Sequence, residues 1–224
     1  MAISLLMLNW KREQNLHKIL GWVDASQLIT EVLVWNNNPD THFEYPNCRI
    51  INSNEDFGMR TRFALGLFAE NDCVLLYDDD MILAPSAIEG LYEQWKEDPE
   101  IMHGLFGRFP NDDGTYGIPV EQQEAEVEMV IGRTMMFHRK YCAGFFTIER
   151  DFLCHEGAST KGASEDLLMS YYIMSQTDRL NRVHEYNVIE LSHEHSICDR
   201  PGHAPERDYM LHECRTRLMP KELK

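Results

Sequence analysis

A chain of 224 residues, 43% of them hydrophobic, can bury a sizeable core, and a single domain over 1–224 is the default for that length. Its net charge of -16 excludes the broad basic surface that non-specific binding to nucleic acid or anionic membrane requires, so an anionic substrate would need a metal ion or local arginines. Six widely spaced cysteines (Cys48, Cys73, Cys142, Cys154, Cys198 and Cys214) without paired spacing read as free thiols of a reducing compartment.

The opening MAISLLMLNWKR has no basic residue before its short apolar run and no small-residue cleavage site, so residues 3–9 read as a first strand and not as a signal peptide. No stretch approaches the length of a membrane span, and a cytoplasmic or otherwise soluble protein is expected. A helical pattern follows through Leu16, Ile19, Leu20 and Val23. EVLVWNNN (31–38) and CRIINSN (48–54) are the second and third strands. FGMRTRFALGLFAEN (57–71) predicts a helix with Met59, Phe63 and Leu67 on one face. In CVLLYDDDMIL (73–83), Cys73 to Tyr77 read as a fourth strand buried on both faces with Asp78, Asp79 and Asp80 at its end, and the order of these elements is the signature of an open α/β sheet.

Pro85 opens a helix that stops before Pro99. Residues 102–109 predict a short strand, the turn-rich FPNDDGTYGIP (109–119) a loop, and the acidic EQQEAEVEM (121–129) a solvated face or mobile loop. Residues 130–141 are strand-like. Ser164 can cap a helix carrying Glu165 and Asp166 in its first turn, with Leu167, Leu168, Tyr171, Tyr172 and Met174 inward. VHEYNVIELSHEH (183–195) reads as a last strand, and a helix is expected near 205–217.

Asp78, Asp79 and Asp80 end the most apolar strand of the chain. Adjacent carboxylates repel and are costly to desolvate, so such a cluster persists at a solvated strand end or around a cation. Carboxylate oxygens suit hard ions such as Mg²⁺ or Mn²⁺, and open α/β sheets bind ligands at the carboxyl ends of their strands. A metal and nucleotide site is the expectation there. His193 and His195 alternate at a strand end and face the same way, so either can add to a metal site. A structural zinc on His193, His195, Cys198 and His203 fits no standard finger spacing.

The ordered motifs VLVWNNNPD, GMRTRFALGL, VLLYDDDM, QWKEDPE, VIGRTMMF and SEDLLMSYYI, over roughly residues 3–180, resemble the exostosin-like glycosyltransferases of family 64. The resemblance implies an α/β fold of the GT-A nucleotide-diphospho-sugar transferase type, with a mixed, mostly parallel sheet flanked by helices. Residues 1–100 would be the nucleotide-binding half and 101–224 the acceptor and sugar half. It implies a Mn²⁺- or Mg²⁺-dependent, retaining transfer of GlcNAc, GalNAc or a hexose from a UDP-sugar donor to a glycan or glycoconjugate acceptor.

Carried over residue by residue, the resemblance puts Arg12 near the diphosphate or base, Asn36 and Asn37 at the uracil or ribose, and Arg60 or Arg62 on a phosphate or site aspartate. Asp78 and Asp79 would contact ribose, and Asp80 would bind the metal with Asp78 or His195 beside it. Glu165 and Asp166 would be the catalytic acids, orienting donor sugar or acceptor hydroxyl. Arg200, His203 and Arg207 are candidates for a late His-Arg segment. The chain has Phe57 where the family has Asn and Glu165 where it has Asp. Plain alternatives stand beside each reading: surface charge for Arg60 and Arg62, helix-dipole complement for Glu165 and Asp166, a turn for the asparagines. A sugar nucleotidylyltransferase would need a glycine-rich loop after the first strand, and LNWKREQN has no glycine. A non-catalytic, cation-dependent carbohydrate-binding protein remains the alternative from a different class.

Overall fold

The apolar run at the start of the chain forms strand β1 (Ile3–Asn9), and its two-residue alternation sorts the core into two layers. Ile3, Leu5 and Met7 pack with Leu16, Ile19 and Leu20 of helix α1 (Glu13–Val23), whereas Leu6 packs with Phe63 of α2 (Thr61–Gly66) and Phe145 of α4 (Lys140–Leu153). These positions come from a computed structural model that describes residues 2–24, 26–121, 123–153, 164–194 and 202–223.

Strands β3 (Arg49–Asn52), β2 (Ile29–Asn36), β1 and β4 (Cys73–Tyr77) lie side by side, all parallel. Strand β11 (Thr134–His138) runs antiparallel to β4, and β6 (His103–Gly104), β12 (Asn181–Val183) and β9 (Ala125–Val127) complete an eight-stranded sheet. Helix α3 (Pro85–Glu97) joins α1 on one face through Ile88 and Leu91, while α2, α4 and α5 (Glu165–Thr177) cover the other. Helix α6 (His203–Arg217) packs on α5. Every residue of β4 is buried, because β1 and β11 flank it and helices cover both its faces. Parallel strands end on the same side, so the carboxyl ends of β1, β2 and β4 open together toward one crevice.

Several expectations are corrected. The strand expected from Cys73 to Tyr77 is β4 and ends where the acids begin, as expected; beyond it the chain turns at Asp79 and Asp80, and β5 (Met81–Leu83) leaves the sheet to pair with β13 (Val188–Glu190). Carboxylates cannot follow the apolar run into a covered sheet, so the strand breaks where they begin. The segment 183–195 accordingly contributes β13 to that small sheet and only Val183 to the large one. The helix expected over 57–71 is six residues long, and Leu67 and Phe68 beyond it are half-exposed. Residues 102–109 divide between β6 and β7 (Phe106–Pro110), which belong to different sheets. The expected loop at 109–119 is the tip and one arm of a hairpin of β7 with β8 (Tyr116–Glu121), to which β10 (Met129–Val130) adds a third strand. The acidic segment is in part the solvated face expected, with Glu121, Glu124 and Glu126 exposed, but it also supplies β9, and buried Glu128 accepts a 2.5 Å hydrogen bond from Tyr171 Oη. Helix α4 had no counterpart among the expected elements. Its aromatic and β-branched content disguises a helical face formed by Tyr141, Cys142, Phe145 and Phe152.

Cys48, Cys73, Cys142 and Cys214 are free thiols, and burial pushes Cys142 up to about 12, which makes it inert. Cys154 and Cys198 lie outside the described residues. Among the described residues no helix is long and apolar enough to cross a membrane.

Candidate functional site

At the open end of the sheet, three asparagines tie strand ends to the loops that follow. Asn9 donates to Asn36 Oδ1 at 3.0 Å, and Asn36 Nδ2 donates to Thr41 O at 2.8 Å and Asn52 Oδ1 at 2.9 Å. Asn37 Nδ2 donates to Gly58 O at 2.9 Å and Thr61 Oγ1 at 3.1 Å, while its Oδ1 accepts from the Phe57 amide at 3.3 Å. Side chains this buried call for internal partners, and Asn36 and Asn37 have them on both amide atoms, whereas Asn9 Oδ1 has none among the described residues. Asn36 and Asn37 thus shape the floor of the crevice through protein contacts.

The acids stand one turn further out. The Asp78 amide still donates to Arg133 O at 3.1 Å, extending the pairing of β4 with β11, and then the chain turns. Arg12, at the start of α1, places Nη1 2.6 Å from Asp79 Oδ1 and 3.4 Å from Asp80 Oδ2, and its Nε donates to Glu194 O at 2.6 Å. His193 Nδ1 is 3.3 Å from Asp80 Oδ2, and Arg133 Nη2 is 3.6 Å from Asp80 Oδ1. Burial pushes Asp79 up to about 7 against the pull of Arg12, with Asp78 and Asp80 adding repulsion. Burial raises Asp78 too, and Arg62 opposes it.

A second pair of acids approaches from α5. Arg62 is almost wholly buried and joins the two groups: Nη2 lies 3.1 Å from Asp78 Oδ1 and 3.5 Å from Glu165 Oε1, and Nη1 donates to Gly132 O at 2.8 Å. Burial would lower its proton affinity, but the surrounding carboxylates raise it, so it stays charged. Asp166 Oδ2 accepts from the Gly132 amide at 3.0 Å and from Arg207 Nη2 at 3.0 Å, and its Oδ1 accepts from the Leu167 amide at 2.9 Å. Burial works against charge on Asp166, yet Arg207 and these donors hold it below the usual carboxylate range. Glu165 has weaker support, and burial pushes it up to about 7 despite Arg62. Two neighbouring carboxyls therefore differ in protonation at the same pH.

The structure brings Arg12, Arg62, Asp78, Asp79, Asp80, Glu165 and Asp166 into one crevice. Arg60 turns away, its Nη1 3.7 Å from Glu149 Oε1 of α4. His195 and Arg200, with the proposed zinc ligand Cys198, lie outside the described residues. Ser164 precedes α5 but makes no capping hydrogen bond through its side chain. Sequence reasoning passed over Gly132 and Arg133. A Cβ at Gly132 would stand 2.8 Å from Arg62 Nη1 and 3.5 Å from Asp166 Cβ, so the residue must be small for the arginine to pass. Only the bare glycine in VIGRT could have signalled that.

Among the described residues no three His, Cys, Asp or Glu side chains converge as a finished metal cage. The donors at the strand end are nonetheless of a kind that suits a hard ion. Among the described residues Asp80 Oδ1 is buried without a hydrogen-bond partner, and Mg²⁺ or Mn²⁺ takes one or two carboxylates and completes its shell with water and substrate phosphate. Asp80, with Asp78 near it, fits that requirement.

Comparison with known proteins agrees with this geometry. Exostosin-2 of Mus musculus is 25% identical over 188 residues, which are 80% of this chain and 26% of the relative, so the chain spans about a quarter of that protein's length. The eight-stranded, mainly parallel sheet flanked by helices is a GT-A-like arrangement. The profile of the glycosyl transferase family 64 domain matches residues 3–219, from β1 through α6 and across both groups of acids. The chain is a member of the glycosyl transferase family 64 domain family.

Proposed function

We propose that this chain transfers a sugar from a UDP-sugar to a hydroxyl of a glycan or glycoconjugate acceptor, with retention at the anomeric carbon and with Mn²⁺ or Mg²⁺ as cofactor. The observation that carries the reading is the acid cluster ending β4 inside a family 64 domain, with Asp80 Oδ1 buried and lacking a hydrogen-bond partner among the described residues. Asp80, with Asp78, would hold the ion, which supplies Lewis-acid neutralisation of the donor's diphosphate.

The chain's own residues account for the rest. Arg12 and Arg62 set fixed positive charge among the acids, so an anionic donor can enter a protein of net charge -16. Asp166 has its oxygens committed to Gly132, Leu167 and Arg207, which makes it a poor nucleophile and a stable negative charge. That suits it to stabilising positive charge at the anomeric carbon while the acceptor attacks from the side of the departing phosphate. Glu165, balanced near neutrality, takes the proton of the attacking hydroxyl. UDP release from a panel of UDP-sugars, with and without Mn²⁺, tests the reading in wild type and Asp80→Asn. Activity that ignores the metal, or survives fully in the variant, would overturn it. NMR of the anomeric proton of the product tests retention.

A further inference from the structure

Arg133 has no part in the scheme above, yet it faces the same acids. It stands in the turn 131–134 between β10 and β11, whose backbone is fastened on several sides. The Ile131 amide donates to Phe106 O at 2.8 Å, Gly132 is held by Asp166 and Arg62, and Arg133 O accepts from Asp78. A side chain leaving so constrained a turn is aimed by the framework. Its guanidinium lies 4.4 Å above the Phe106 ring, with Nη2 2.7 Å from Glu190 Oε2 and 3.6 Å from Asp80 Oδ1. Stacking on an aromatic face positions a guanidinium and leaves its N–H rim usable. Among the described residues Arg133 Nε and Nη1 make no hydrogen bond, and Glu190 is a half-exposed partner of the kind that contributes little.

We propose that Arg133 is a diphosphate-binding catalytic residue: on donor binding it exchanges Glu190 for an oxygen of the donor's diphosphate beside Asp80. The proposal rests on the UDP-sugar reading above. In the transfer, the bond from the anomeric carbon to the β-phosphate oxygen breaks and its electron pair leaves with UDP. The acceptor oxygen forms the new bond, its proton goes to Glu165, and Arg133 meets the negative charge that grows on the phosphate.

The test is calorimetric titration of UDP and of uridine, in Mn²⁺ buffer, into wild type, Arg133→Met, Arg133→Lys and Glu190→Gln. Losing a hydrogen bond to a charged group costs about 1.5–3 kcal/mol, so Arg133→Met should bind UDP about 10- to 100-fold more weakly while uridine changes less than about twofold. Lysine keeps the charge without the fork and should recover part of the loss, and it serves alone if the methionine variant does not fold. Glu190→Gln should bind UDP at least as well as wild type, because it frees Arg133. A merely structural ion pair predicts the reverse: Glu190→Gln and Arg133→Met would weaken together, and uridine would fall with UDP. Either that pattern or an unchanged ratio of UDP to uridine affinity in both Arg133 variants overturns the proposal alone. Wild type that shows no preference for UDP over uridine overturns the donor reading and the Arg133 role with it.

Discussion

The two groups of acids in the crevice share their chemistry and differ in their surroundings. Asp78 and Asp79 sit on a strand-end turn with side chains 26% and 15% exposed, Asp80 beside them is buried, and all three meet arginines: Arg12, Arg133 and the buried Arg62. Glu165 and Asp166 start a helix under cover, with side chains 6% and 5% exposed, and Asp166 is bound by a buried arginine and two backbone amides. In the proposed reading the first group meets the ligand. The second is framework, since a buried charge survives only with its partners in place, and in the proposed reading it carries chemistry as well. Substitutions should therefore separate them: activity without stability for the strand end, both together for the helix start.

The largest effect should come from Asp80→Asn. We expect kcat/KM for a UDP-sugar to fall about 1,000-fold, or roughly 4 kcal/mol of transition-state stabilisation. Urea unfolding should keep its midpoint or rise, because one of the charges repelling Asp79 is gone. A large drop in midpoint would break the contrast, showing the strand end to be framework too. Asp166→Asn should do what Asp80→Asn does not: strip buried Arg207 of its counter-charge, cost about 3–5 kcal/mol of folding stability in urea titration, and lose activity as well.

The pH dependence of stability sharpens the same contrast within the second group. Glu165 binds its proton up to about 7 when folded and releases it near 4.3 when unfolded. The folded chain thus holds the extra proton between those values, and this group's contribution to stability falls as pH rises through the window. Asp166 is held low, so its contribution is present above the unfolded value and is lost as pH falls below about 4. Urea midpoints from pH 4 to 8 should show Glu165→Gln with a flatter decline than wild type. An unchanged slope in that variant would mean that Glu165 is ionised throughout.

How far the molecule could be read from its sequence divides along similar lines. The parallel half was legible because β1 is mostly and β4 wholly apolar or aromatic, and α1 and α3 carry clean helical stripes. The carboxyl half was not. Two-residue strands such as β6 and β10 lack the length for any periodicity, and α4 is written in residues that favour strands. In the site, Asp78, Asp79 and Asp80 drew notice because clustered acids are costly wherever they sit, and Glu165 and Asp166 because they open a helix and match the family's acidic pair. Arg133 and Gly132 drew none, because their importance comes from the pairing of β4 with β11 and the approach of α5, contacts between residues far apart in the chain.

Gly132→Ala tests that long-range wiring. An added methyl group would stand 2.8 Å from Arg62 Nη1, the flexible end of a side chain that also binds Gly132 O, so the arginine would shift. A cost of about 1–3 kcal/mol in urea titration is expected. Activity should suffer more than stability, because Arg62 is the joint between Asp78 and Glu165. Equal stability and activity in the alanine variant would show that Arg62 has room to spare and that the two groups of acids are not tightly coupled.

The smallest effect belongs to Arg60, and it is informative because Arg60 and Arg62 are indistinguishable by sequence pattern. One residue separates them on the approach to α2, and both carry the same charge. Positions two residues apart lie about 200° apart around a helix, which sends Arg62 under the sheet's open end and Arg60 to the other side, 3.7 Å from Glu149, a loose contact with a largely covered carboxylate. Arg60→Ala should cost less than about 1 kcal/mol and leave kcat/KM within about twofold, whereas Arg62→Met leaves Asp78 and Glu165 short of their shared cation and should cost about 3–5 kcal/mol. If Arg60→Ala lowered activity as far as Arg62→Met, with stability unchanged, Arg60 would have to swing into the crevice when donor binds, and the boundary between framework and ligand-facing charge would move with it.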